Sequence, residues 1–426
     1  MPVNNGNNQT MIRLKTFLYA ALLAVSGVTI LPVVLDQASV AFAQESLRPE
    51  VGKPLQAAQE LYKAKKYKEA LGKVSEADKA SGKNAYESYV IDRMRGSIAA
   101  ATGDNDTAIR SFEAVIASPR SSPSERVTMI QAVASMYYRA NNYAKAAVWL
   151  SRYFKEGGAD GQMRTLLIQS YYLSGDCTSA SREVQVELQA DEKAGRAPSE
   201  DRLQLLANCY LKQKDNAGYA TALEKLVTYY PKKDYWLDLI NRIQRKPGYS
   251  ERLSLDVYRL RLATGNLTAA NDYMEMAQLA IASGLSAEGK KIVDQGFAAG
   301  ALGVGAEAER QKRLRDLAVK RSAEEQESLA QREADAAAEK GGTALVNIGF
   351  AYVSNGQVDK GLALMEQGIR KGGLKHPEDD KLHLGIAYFM AGQKAKAMQM
   401  LKTVQGTDGA ADLARLWAIQ ARRSAG

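Results

Sequence analysis

One register recurs along this chain and limits what it can fold into. Tyr137 stands nine residues before Ala146, and Leu150 follows four residues later. Tyr352, Gly361 and Met365 keep the same spacing, and so do Tyr388, Ala397 and Leu401. Between the aromatic and the small residue lies a polar turn: Asn141-Asn142, Gly356-Gln357 or Gly392-Gln393. That order describes two helices joined by a tight turn. Such a pair cannot bury its apolar faces alone and must stack on copies of itself. Stacked arrays present long surfaces that mostly bind other molecules rather than transform them.

Aligned on the central small residue, further units come into phase. Leu61, Tyr67, Ala70, Val74 and Ala77 form the first. Gly96, Ala99, Ala108, Phe112 and Val115 form the second. The third has Ala134, Tyr137, Tyr143, Ala146 and Leu150, and the fourth Leu167, Tyr171, Cys177, Ala180 and Val184. The fifth has Tyr210, Tyr219, Leu223, Leu226 and Pro231. Ile348, Gly349, Tyr352, Gly361 and Met365, then Leu384, Gly385, Tyr388, Ala397 and Leu401, give two more near the C-terminus. Small residues in both helices allow close approach, and larger ones fill the space around the contact. With these residues in phase the chain resembles the tetratricopeptide repeat family over most of 51–405. The resemblance implies an all-α, right-handed superhelical solenoid of antiparallel helix pairs that binds peptides or proteins. Few prolines, abundant alanine and the lack of alternating Val, Ile and Thr also favour helix.

The first 43 residues read as a secretory signal. Arg13 and Lys15 precede a mostly apolar run from Phe17 to Leu35, and Ala41-Phe42-Ala43 offers small residues at the cleavage positions. Cleavage after Ala43 would place the protein in the periplasm; a retained membrane anchor is the other reading, although Pro32 and Asp36 shorten the run. The whole chain carries +9, of which +8 lies beyond Ala43. An exported chain with dispersed bases and no basic-aromatic stripe is not expected to bind nucleic acid. Peripheral association with acidic partners or anionic lipid at the envelope is compatible with the charge.

The expected domains are the signal (1–43), an N-terminal repeat array (44–232), divergent helical repeats (233–300), a charged Ala-rich segment (301–341) and a C-terminal repeat pair with a capping helix (342–426). In the charged segment Glu309 and Arg313, and Asp316 and Lys320, are spaced to pair along a helix. Ser322 followed by Glu325 reads as a capping box that starts a second helix there.

Cys177 falls at the start of one helix and Cys209 near the end of another in the neighbouring repeat, on the same edge of a stacked array. That predicts a disulfide, closing a loop of about 30 residues and contributing roughly 3–4 kcal/mol in the chain-entropy model. Two buried, reduced thiols are the alternative.

No catalytic constellation is evident, and no enzyme activity, cofactor or metal is expected. His376 and His383 flank a Pro-Glu-Asp-Asp turn with Asp379 and Asp380 nearby, which is not a recognised ligand spacing. The recurrent tyrosines mostly face the repeat interior. The concave register of the first helices instead holds Gln131, Ser135, Tyr138, Arg139, Thr165, Gln169 and Tyr172, continued by Asn208 and Lys212. A polar row with aromatic islands suits an extended peptide. In the C-terminal pair the same register holds Phe350, Val353, Leu382, Phe389 and Met390, which demand a cover: a partner, a neighbouring protomer or the capping helix. The expected function is a periplasmic scaffold for a protein or peptide serving envelope machinery. The alternative is a component of polysaccharide assembly or export that also binds glycan, which exposed Trp and Tyr platforms would favour.

Overall fold

The computed structural model describes residues 46–423; the expected signal segment lies outside them. Among the described residues there are 20 α-helices and no strand. No helix among them is long and apolar enough to cross a membrane. The described chain up to Ala194, with Asn208–Lys214, forms one compact unit. Gly195–Ala207, with the chain from Asp215 onward, forms a second. The division thus falls between Ala207 and Asn208.

The first unit stacks α1 (Pro49–Lys63), α2 (Tyr67–Asp78), α3 (Ala85–Thr102), α4 (Asn105–Ala117), α5 (Pro123–Arg139), α6 (Tyr143–Lys155), α7 (Gly161–Leu173) and α8 (Cys177–Lys193), with the last turns of α9 (Glu200–Lys212). From α1 to α8 each helix packs on the next, and α1 with α3 and α5 with α7 also touch. The alanines on which the units were aligned, Ala70, Ala108, Ala146 and Ala180, have no exposed surface. Val74, Phe112, Leu150 and Val184 surround them in the core. Local chemistry sets the boundaries. Asn84 and Glu87 form a reciprocal capping box at the start of α3. Asp104, Ser122, Asn142, Asp160 and Asp176 each accept a hydrogen bond from a backbone N–H at the helix start that follows. The turn between α5 and α6 needs a left-handed residue, and Asn141 supplies it at φ 57°.

The second unit comprises α10 (Asn216–Tyr229), α11 (Lys233–Gln244), α12 (Ser254–Ala263), α13 (Ala270–Ala282), α14 (Ser286–Ala298), α15 (Ala308–Ala338), α16 (Thr343–Ser354), α17 (Val358–Lys371), α18 (Pro377–Met390), α19 (Lys394–Leu401) and α20 (Ala410–Arg423). Successive helices again pack on one another, but α20 also returns to α10 and α12. Its side chains secure that return. Arg415 pairs with Glu224 at 2.6 Å and Asp412 with Lys246 at 2.7 Å. The Gln420 amide donates to the Ala263 carbonyl at 2.9 Å.

Residues 308–338 correct the sequence reading. Ser322 does not begin a helix, because α15 runs through it unbroken for 31 residues. Glu325 is drawn away from capping its own helix. Its buried carboxylate accepts the Ser286 backbone N–H at the start of α14 and the Asn355 amide at the end of α16. Leu314, Ala318, Leu329 and Ala336 are buried, while Leu317 and Val319 stay exposed.

Candidate functional site

In the first unit the expected binding row lies along α5, α7 and the last turns of α9. The Tyr138 hydroxyl donates to Gln169 Oε1 at 2.7 Å, so adjacent repeats are bridged along that edge. The Tyr138 ring meets Tyr143 edge-on at 5.4 Å. The Lys212 ammonium sits 4.3 Å from the centre of the Tyr172 ring, where the ring face attracts a cation. Arg139 is exposed, and Gln131, Thr165 and Asn208 are half-buried. Thr165 turns its hydroxyl back to the Gly161 carbonyl at 3.2 Å.

Ser135 departs from expectation. Only 2% of it is exposed, because it faces the packed side of α5, and it cannot reach a ligand. Two residues were missed: Leu173 and Leu211, each 42% exposed, flank the Tyr172–Lys212 pair. The signal was present, since both are apolar residues beside a residue already in the row. α7 contains no acidic residue, and the acids of α5 and α9 sit in their first turns. The far ends of these helices therefore combine aromatic and aliphatic surface with Arg139 and Lys212.

Phe350 and Phe389, in the second unit, do not form a binding face. Phe350 is buried under the Arg259 guanidinium, 4.3 Å from the ring centre, and it meets the His383 ring edge-on. Phe389 packs against Trp417 of α20 at 5.2 Å. The cover for Phe350, Val353, Leu382 and Phe389 comes from the chain itself, whereas Met390 stays 44% exposed.

The disulfide expected in the first unit is not formed. Cys177 and Cys209 are buried free thiols. Burial pushes the Cys209 thiol up.

The second unit holds the charged residue types that catalysis uses, but they are consumed by one another. His383 Nε2 lies 3.0 Å from Asp256, whose other oxygen accepts from Arg259 at 2.7 Å. Arg259 also grips Glu288 with two bonds of 2.8 and 2.6 Å. Arg252 pairs with Asp379 and Asp408, and Thr343 donates to Asp380 at 3.1 Å. His383, Asp379 and Asp380 thus do not converge on a metal position. The network joins α12 to α14 and α18. Burial opposes the charged form of His383, yet the Asp256 carboxylate outweighs it and raises the imidazole above its ordinary value.

The pair contributes fully below the unfolded pKa of about 6.5 and fades as pH rises through the higher folded value. The expected result is a higher melting temperature at about pH 6 than at about pH 9. His383→Gln should shrink that difference, as thermal scans of both proteins would show.

The tetratricopeptide repeat family matches at residues 203–233 and 381–406, the second covering α18 and α19. Over those residues the helices match the tetratricopeptide repeat. Among solved structures, the chain is similar to one of Naa15/Naa10 bound to HypK-THB. Identity is 15%, the match covers 84% of this chain and 58% of that one, and the TM-score is 0.30. It is also similar to yeast Tom70, with 10% identity over 88% and 96% of the two chains and a TM-score of 0.25. For the TPR domain of P58(IPK) the figures are 13% identity, 88% and 97% coverage, and a TM-score of 0.22. The chain thus spans less than two thirds of the first of these. No curated protein matches the sequence.

Proposed function

We propose that this tetratricopeptide-repeat chain is a non-catalytic scaffold that holds an extended segment of another protein along the α5–α7–α9 edge of its first unit. The observation that carries this reading is the continuous row of Tyr138, Gln169, Tyr172 and Lys212 across successive repeats. Half-buried aromatic faces set among polar groups suit contact with an extended backbone. Leu173 and Leu211 offer places for aliphatic side chains, and Arg139 and Lys212 favour acidic neighbours in the same segment.

The N-terminal basic and apolar run with Ala41-Phe42-Ala43 supports export, and with it service to envelope machinery in the periplasm. A glycan-binding role in polysaccharide export is the lesser reading. Trp236 and Trp417 are buried and offer no stacking platform.

The test pairs the chain as bait with its Tyr138→Ala/Tyr172→Ala variant. A protein retained by the first should bind the second about 10- to 100-fold more weakly, at unchanged helicity by circular dichroism. Equal retention would move the binding surface elsewhere, and glycan retained equally by both would favour the polysaccharide role.

A further inference from the structure

We propose that α15 carries a self-complementary docking surface, on which a second copy of this chain lays its own α15 antiparallel. The sequence of the helix divides its charge. Residues 308–322 hold six bases and two acids, a net +4, and residues 323–338 hold five acids and one base, a net −4. Like charges grouped along one helix repel one another, and the helix dipole favours the opposite order, acids early and bases late. The segregation therefore costs the isolated helix, and an antiparallel copy offsets it by setting each basic half against an acidic one. Part of the charge is consumed within the chain: Arg315 pairs with Asp294, Glu333 pairs with Lys360, and Glu325 is buried. Without these three the halves still carry +3 and −2.

Two side chains fix the register. Arg313 and Glu327 are exposed, and neither forms a salt bridge or hydrogen bond with another side chain among the described residues; Arg313 feels Glu309 only at longer range. Fourteen positions separate them, nearly four turns, so they stand on the same side of α15 about 21 Å apart. They cannot meet within one chain. In an antiparallel copy centred on Lys320 each lies seven positions from the centre, so Arg313 of either copy comes opposite Glu327 of the other. Apolar surface lies at the same centre. Leu317 and Val319 are 44% and 45% exposed, although the other side of α15 packs on α13, α14 and α16. Lys320 itself has Glu324 of its own helix at 3.9 Å to balance it. The surface belongs to the second unit and does not depend on the peptide edge proposed for the first.

Sedimentation velocity on the purified chain tests this from about 1 μM to about 1 mM, the range of a weak specific interface. The mass should double as concentration rises, and added salt should oppose the doubling. Arg313→Glu and Glu327→Arg each place like charges at both contacts and should weaken association about 10- to 100-fold. Mixed in equal amounts, the two variants should recover it as a heterodimer, because each then opposes the other's charge. The double variant Arg313→Glu/Glu327→Arg should recover it alone. Circular dichroism should be the same for all, since both positions are exposed. A chain that stays monomeric throughout, or a dimer indifferent to the reversals, would overturn the proposal. So would a monomer that binds polyglutamate or phosphatidylglycerol vesicles through the basic half, which would assign that surface to an acidic protein or to a membrane.

Discussion

Replacing Gly349 with Ala is expected to destabilise the second unit by about 2–3 kcal/mol, although Ala is the better helix former. At this position α16 and α17 touch backbone to backbone. A Cβ on Gly349 would lie 2.6 Å from the Gly361 carbonyl oxygen and 2.9 Å from the Met365 nitrogen. Further along, a Cβ on Gly342 would lie 1.8 Å from the Gly368 oxygen. Backbone atoms cannot step aside as a side chain can, so the helices must separate. The gain from propensity is about 1 kcal/mol, and overpacking costs up to about 3 kcal/mol or more, so the loss prevails. Gly72→Ala on α2 is the control. Nothing lies within 4 Å of its would-be Cβ, and the same change there should stabilise by up to about 1 kcal/mol. Denaturant unfolding of both variants tests this; two substitutions of the same sign would contradict it.

The second large effect is expected at Arg259. Arg259→Met should cost about 3–5 kcal/mol, because Glu288 would keep its buried charge without a partner. Arg259 is 5% exposed and Glu288 6%, so water cannot substitute for the lost bonds. The double variant Arg259→Met/Glu288→Leu removes both charges and should recover most of the loss, since a buried ion pair contributes little relative to apolar packing of similar volume. A double-mutant cycle on unfolding free energy measures this directly. An additive double variant would mean that the residues act independently despite their two hydrogen bonds.

The close helix contacts were legible in sequence because they are local. Ala146 and Leu150, or Gly361 and Met365, lie within one turn of each other and show the pairing by spacing alone. The aromatic row on α5 and α7 was legible for the same reason. What escaped was set by distant partners. Phe350 looked like an open contact because the guanidinium that covers it belongs to Arg259, far along the chain. Ser322 and Glu325 looked like a cap because nothing local shows that Glu325 serves Ser286 instead. The pairing of Arg415 with Glu224 spans 191 positions, and no helical period encodes such a distance. Ser135 was misplaced by the width of one helix face, which a repeat register does not resolve.

The return of α20 to α10 and α12 bears on how the protein is made. An open array can add each helix pair as it is synthesised, because each pair needs only the one before it. The second unit cannot complete itself in that way. While α10 to α19 are being synthesised, the surfaces that will receive Leu413, Leu416 and Trp417 remain uncovered, and they close only when Ala410–Arg423 arrives. Until then the growing unit leaves uncovered the apolar surface that α20 buries, the kind of surface that favours aggregation in incomplete chains. A frameshift or stop codon a few residues upstream of Ala410 would prolong that exposure indefinitely, although every repeat before it had been translated correctly.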